Sequence, residues 1–177
     1  MKSVLLHTCC APCANQCVEA LRNEGIEPVA YWFNPNIHPF LEYQSRKQAL
    51  IQYAKGVGME LVLADEYGLR QFIQAVSPNL EDRCTLCYSM RMDAVAQYAA
   101  QNGFDCFTTT LLISPYQKHE KIRAVAEQAA MKHGIEFVYR DFRPYFRVGQ
   151  QRARELGLYM QKYCGCIFSE EERYNKK

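Results

Sequence analysis

Seven of the nine cysteines in this 177-residue chain fall in three tight groups: Cys9, Cys10 and Cys13; Cys84 and Cys87; and Cys164 and Cys166. Clustered thiols do one of three things: ligate metal, exchange electrons with a disulfide, or crosslink the chain. Seven thiolates exceed the four of a closed site by three. The count therefore points to one fully ligated centre plus a second metal with an open coordination position, and an open position is where metal chemistry occurs. Soft thiolates suit zinc, copper(I) and iron–sulfur clusters alike, so the spacing leaves three readings open: structural zinc, a four-thiolate cluster beside a three-thiolate metal, and a thiol–disulfide relay. Cys17 and Cys106 stand apart from these groups and read as buried core thiols.

The elements that must position the groups follow from hydrophobic pattern. Ser3 to His7 reads as a buried strand running into the first cysteines, where Pro12 helps fix the turn. A helix is expected over Gln16–Asn23, a strand over Glu27–Phe33, and a turn at Asn34-Pro35-Asn36. Then come a helix over Leu41–Gly56, a strand over Met59–Leu63, and a short helix over Leu69–Val76. The second cysteine pair opens a helix over Thr85–Gln101, one turn apart, where the positive N-terminus favours thiolate over thiol. A strand over Phe104–Leu112, a helix over Gln117–His133 stopped by Gly134, a strand over Ile135–Tyr139 and a helix over Gln151–Leu156 complete the chain. Strands alternating with helices predict one α/β domain spanning 1–177, with a mainly parallel sheet of about five strands covered on both faces.

In such a sheet, ligands bind beyond the carboxyl ends of the strands, so Cys9, Cys10 and Cys13 are expected at the functional edge. The loop has neither the glycines nor the lysine of a phosphate loop, which argues against phosphate cradling there. Gly165 allows a tight bend between Cys164 and Cys166. The net charge is only +2. Between Tyr139 and Tyr163, however, Arg140, Arg143, Arg147, Arg152, Arg154 and Lys162 face only Asp141 and Glu155, interleaved with Phe142, Tyr145, Phe146 and Tyr159. That pattern suits phosphate contact with base stacking, and equally a solvated basic face over buried aromatics. No signal-peptide core and no apolar run of membrane-spanning length occurs, so the expected compartment is the cytoplasm. There, clustered cysteines read as ligands before disulfides.

The motifs together resemble the epoxyqueuosine reductase QueH family. The resemblance rests on Leu6-His7-Thr8-Cys9-Cys10-Ala11-Pro12-Cys13, Asn34-Pro35-Asn36-Ile37-His38-Pro39 with Glu42, Tyr43 and Arg46, and Arg83-Cys84 through Cys87-Tyr88 with Arg91. It continues with Thr108-Thr109-Thr110 through Ser114-Pro115-Tyr116, Asp141-Phe142-Arg143, and Tyr159 through Cys166 to Ser169. It spans nearly the whole chain and implies a nucleotide-hydrolase-like (HUP, Rossmann-like) fold. It also implies reduction of the epoxide of epoxyqueuosine, at the tRNA wobble position, to queuosine, without cobalamin and with an unspecified electron donor. The implied cofactors are a 4Fe–4S cluster and a mononuclear metal, iron or else zinc, held by the seven clustered cysteines. Some relatives carry Asp at the position of Cys13, which implies that Cys13 serves the lone metal.

The implied reaction needs an acid for the departing oxygen, and Tyr88, Tyr116, Tyr163 and His7 qualify by type. Thr108, Thr109, Thr110 and Ser114 are candidates for holding the substrate diol. Arg46, Arg83, Arg91, Arg143, Arg152 and Arg154 are candidates for tRNA phosphates, or for pairing with carboxylates such as Glu42 and Asp141. The chain departs from the family pattern at Met160, where arginine is usual, and over Pro144–Gly149. A zinc-stabilised tRNA-binding module and a thiol–disulfide oxidoreductase are the rival readings.

Overall fold

A computed structural model describes residues 2–176. The sheet is built around β1 (Val4–His7), whose residues are all buried. It pairs in parallel with β2 (Pro28–Trp32) on one side and β4 (Cys106–Thr109) on the other. Leu6 faces Ala30 and Thr108 in register, and His7 faces Tyr31 and Thr109. β3 (Leu61–Leu63) and β5 (Glu136–Phe137) close the edges, giving the all-parallel order β3-β2-β1-β4-β5. The chain steps outward from β1 to β3, then returns to β4 and steps the other way. Right-handed crossovers therefore put α1 (Ala11–Asn23) and α2 (Phe40–Val57) on one face, and α4 (Arg83–Gln101) and α5 (His119–His133) on the other. The reversal lies between the carboxyl ends of β1 and β4, the switch point at which sheets of this kind bind ligands.

The core matches the sequence pattern. Cys17, Val18 and Leu21 of α1, Leu50 of α2, Val95 and Ala99 of α4, and Ile122 and Ala126 of α5 are buried against Leu5, Leu6 and Phe107 of the sheet. Cys17 and Cys106 are fully buried, as expected of core thiols. Gly134 ends α5 in a left-handed turn with φ +66°, a conformation that costs glycine least.

Several boundaries differ from the sequence reading. α1 starts at Ala11 and takes in the cysteine cluster, because Pro12 sits in the first helical turn, where its fixed φ is already helical. β4 stops at Thr109, whose hydroxyl accepts the Leu111 amide at 3.2 Å and starts a 3₁₀ turn over Thr110–Ile113. β5 is two residues long instead of five.

α6 spans Phe146–Glu155, begins earlier than the expected Gln151 and takes in Gly149. Its role is packing: a Cβ there would lie 3.1 Å from Gln16 Cγ, and the Asn15 amide donates to its carbonyl at 3.0 Å. The glycine lets α6 lie close on α1. α7 (Ile167–Tyr174) has no counterpart in the sequence reading. It starts at Cys166, whose sulfur accepts the Ser169 amide at 3.4 Å. Among the described residues, no helix is long and apolar enough to cross a membrane.

Candidate metal centre

The first trio occupies the loop and opening turn between β1 and α1. Cys9 ends the loop, Cys10 is the extended N-cap of α1, and Cys13 lies in its first turn. Cys10 makes no side-chain cap, so its sulfur is available elsewhere. The sulfurs of Cys9, Cys10 and Cys13 all lie within 4.8 Å of one another, and those of Cys9 and Cys10 are 3.8 Å apart. A tetrahedral ion with thiolate bonds of about 2.3 Å spaces its sulfurs at roughly 3.8 Å, so the trio is set at single-ion spacing. Cys10 and then Cys13 hold the Cys9 thiol well below its ordinary range by donating to it, and Cys13 is pushed well above by those same neighbours.

The second group assembles from two distant segments. Cys84 and Cys87 lie in the first turns of α4; Cys164 and Cys166 flank Gly165 in the turn before α7. Burial pushes the Cys87 thiol up to about 12; Arg91 opposes this, and the negative charges of Cys164, Cys166 and Cys84 add to it, in that order. Among the described residues, no three of these four sulfurs lie within 4.8 Å of one another, as those of the trio do. That is compatible with a polynuclear cluster, which spreads its thiolates beyond the reach of one ion.

The 164–166 turn is held by the Asn34–Pro39 loop. The backbone amide of His38 donates to the Gly165 carbonyl at 2.8 Å, and the Tyr163 hydroxyl donates to the His38 carbonyl. The Ile167 amide donates to His38 Nδ1 at 3.2 Å, so the ring proton sits on Nε2 and is given to the Pro35 carbonyl at 2.8 Å. Burial lowers the pKa of His38, in keeping with this neutral form. Gly165 has φ +149°, and a Cβ there would come within 3.3 Å of both Arg46 and Asn36.

Two buried cations compensate the thiolates. Arg91 donates to Cys87 Sγ at 3.2 Å and stacks over Tyr88. Arg46 is ion-paired to Glu42 at 2.7 Å and donates to the carbonyls of Cys164 and Tyr163. Arg83 pairs with Glu172 and lies over the Phe168 ring, tying α7 to α4.

Both cysteine groups border one cavity of about 450 Å³, with Cys9 and Cys13 on one wall and Cys164 on another. Of the residues singled out from sequence, Arg46, Arg91, Thr110, Ser114, Tyr116 and Tyr163 also line it. Cys10, Cys84, Cys87 and Cys166 lie behind that lining.

Thr108 is buried in β4, and Thr109 bonds His7 at 3.0 Å. His7 is enclosed between Thr109 and the Phe33 carbonyl, and burial lowers its pKa to about 4. Tyr88 is buried beside Gln117. Arg83, Arg143, Arg152 and Arg154 lie outside the cavity; Arg143 pairs with Asp141 and Arg152 with Glu155. The basic stretch is partly self-neutralised, while Tyr145 and Tyr159 are exposed and Phe142 is buried.

Lys162 of the basic stretch reaches the site, as do residues that the sequence reading did not single out. Gln161 donates to Cys10 Sγ at 3.0 Å and Gln117 to Cys164 Sγ at 3.3 Å. Arg173 of α7 lines the cavity. Nothing in local spacing marks a glutamine as a sulfur donor; only the fold does. Met160 packs against the main core.

Comparison with known proteins settles the kinship. The family description "Epoxyqueuosine reductase QueH" matches residues 4–172. The chain belongs to this family. The family member from Dehalococcoides mccartyi is 39% identical, over 98% of this chain and 95% of its own. That from Haemophilus influenzae is 38% identical over 94% and 71%, and that from Thermotoga maritima 33% over 99% and 94%. Among solved structures, a predicted subunit of a tRNA methyltransferase from Methanocaldococcus jannaschii superposes with a TM-score of 0.55 at 12% identity, covering 88% of this chain and 75% of that one. That likeness concerns the fold alone.

Proposed function

We propose that the chain is a cobalamin-independent epoxyqueuosine reductase, acting on the modified wobble nucleotide of tRNA. The observation that carries the reading is the meeting of two differently spaced cysteine groups at one cavity. Cys9, Cys10 and Cys13 would hold a mononuclear metal, iron or zinc, and Cys84, Cys87, Cys164 and Cys166 a 4Fe–4S cluster. Bound there, the pair would supply a Lewis acid for the epoxide oxygen and a store of single electrons. The overall reaction consumes two electrons, from an external one-electron reductant, and two protons. Both epoxide C–O bonds break, the alkene forms, and the oxygen leaves as water.

The protein side chains orient the substrate and move the protons. Thr110 and Ser114 present hydroxyls on the cavity wall for the cyclopentane diol. Of the four candidate acids, His7, Tyr88 and Tyr163 are each engaged by partners. The Tyr116 hydroxyl has no partner among the described residues and borders the cavity, so the proton is assigned to it. Its ring lies edge-on to Phe146, which suits stacking of a neighbouring base.

Lys162 and Arg173 also line the cavity, and neither has a carboxylate partner among the described residues. They are the cations left free for flanking phosphates.

The test is anaerobic purification followed by assay. Iron and acid-labile sulfide are expected, with conversion of epoxyqueuosine in tRNA to queuosine by reduced protein. Colourless protein that is active with zinc alone would overturn the cluster, and inactivity of iron-loaded, reduced protein would overturn the reaction. All nine cysteines are free thiols. Turnover of disulfides by metal-free protein would favour the oxidoreductase alternative instead.

A further inference from the structure

A chain of three hydrogen bonds runs from the backbone into the second cysteine group. The Lys118 amide donates to the Tyr88 hydroxyl at 3.2 Å, Tyr88 donates to Gln117 Oε1 at 2.6 Å, and Gln117 Nε2 donates to Cys164 Sγ at 3.3 Å. The directions follow from leaving no buried proton unpaired. A backbone N–H can only donate, so the Tyr88 oxygen accepts there and turns its own proton to Gln117. Gln117 must then offer its carbonyl to Tyr88, which leaves its NH₂ facing the sulfur. The orientation of an amide, ambiguous by shape alone, is thereby set by chemistry. Tyr88 is 3% exposed, with Arg91 over its ring.

We propose that Tyr88 and Gln117 are positioning residues that set the reduction potential of the centre ligated by Cys164. This rests on the reading that Cys164 ligates the iron–sulfur cluster. An N–H donor on a ligand sulfur stabilises the more negative, reduced state and so raises the potential. Tyr88 acts through Gln117: without its hydroxyl the amide is free to turn its carbonyl toward the thiolate. The buried tyrosine, a candidate acid by residue type, thus serves electron transfer and not proton transfer.

The experiment is EPR-monitored potentiometric titration of anaerobically isolated, cluster-loaded protein, with iron and sulfide measured on each sample. Tyr88→Phe and Gln117→Leu should each lower the midpoint potential, Gln117→Leu at least as far. The double variant should fall no further than Gln117→Leu alone, because one residue acts through the other. Tyr88→Phe keeps the ring and its packing, so it remains informative if Gln117→Leu loses its cluster. An unchanged potential in loaded Tyr88→Phe, or additive shifts in the double variant, would overturn the proposal. So would loss of turnover in Tyr88→Phe at unchanged potential, which is the mark of a proton donor. Wild-type protein without iron and sulfide would instead overturn the cluster reading itself, a separate outcome.

Discussion

Arg46 carries the backbone of Cys164. Its Nη1 donates to the Cys164 carbonyl at 2.8 Å and its Nη2 to the Tyr163 carbonyl at 2.9 Å, while Nε engages Glu42. The guanidinium fork spans three acceptors from a side chain only 2% exposed, which a lysine's single ammonium does not do. Arg46→Met leaves two carbonyls without their donor and a mostly buried carboxylate without its cation, with only the Tyr159 hydroxyl still donating to it. The expected destabilisation is about 3–5 kcal/mol by thermal or denaturant unfolding, with Arg46→Lys only partly restoring it.

The two cysteine groups separate by metal analysis. Cys87→Ala should lose acid-labile sulfide. Cys13→Ala should keep sulfide and lose about one metal per chain, and Cys13→Asp, which preserves an anionic ligand, should recover part of it. Loss of sulfide from Cys13→Ala would show that the groups are divided differently.

Gly165→Ala meets two obstacles. Its φ of +149° lies where side-chain-bearing residues are rarely found, and the new Cβ would press on Arg46 and Asn36 at 3.3 Å. A cost of about 1–3 kcal/mol is expected, concentrated in the turn that carries two cysteines. Lower sulfide content than wild type, read after identical anaerobic loading, checks this.

The two free cavity cations should dominate the salt dependence of tRNA binding. Lys162→Ala and Arg173→Ala should each weaken binding and flatten the slope of log K against log salt by roughly 0.7, the value for one single-strand phosphate contact. Arg143→Ala, whose charge is already paired with Asp141, should change the slope little. Filter binding at several salt concentrations measures all three.

Cys17 tests the assignment from the opposite side. It is fully buried among Val18 and Leu21 in the main core. Cys17→Ala should cost about 1 kcal/mol of stability and leave metal content intact. A folded Cys17→Ala protein lacking metal would mean that the thiols were sorted wrongly.

Much of the frame was legible because it depends on local pattern. The apolar run Val4–Leu6, the helical spacing in α2, α4 and α5, and the stop at Gly134 are properties of neighbouring residues, and the strand–helix alternation implies a parallel sheet. The early start of α6 was hidden because Gly149 has two roles that look alike in sequence, breaking a helix and admitting a close neighbour. Only the contact with Gln16 distinguishes them.

The sequence by itself determined that seven thiols cluster, that three follow the central strand, and that the motifs belong to one family pattern. Which thiols lie together, which arginines are already paired, and which amides touch sulfur were decided by tertiary structure alone. The reason is distance along the chain: Gln161 reaches Cys10 across 151 residues and Arg46 reaches Cys164 across 118. Periodicity and spacing carry information over a turn or a strand. The grouping of the thiols and the direction of a hydrogen-bond chain exist only once the sheet has brought its carboxyl ends, the Asn34–Pro39 loop and the 164–166 turn to one place.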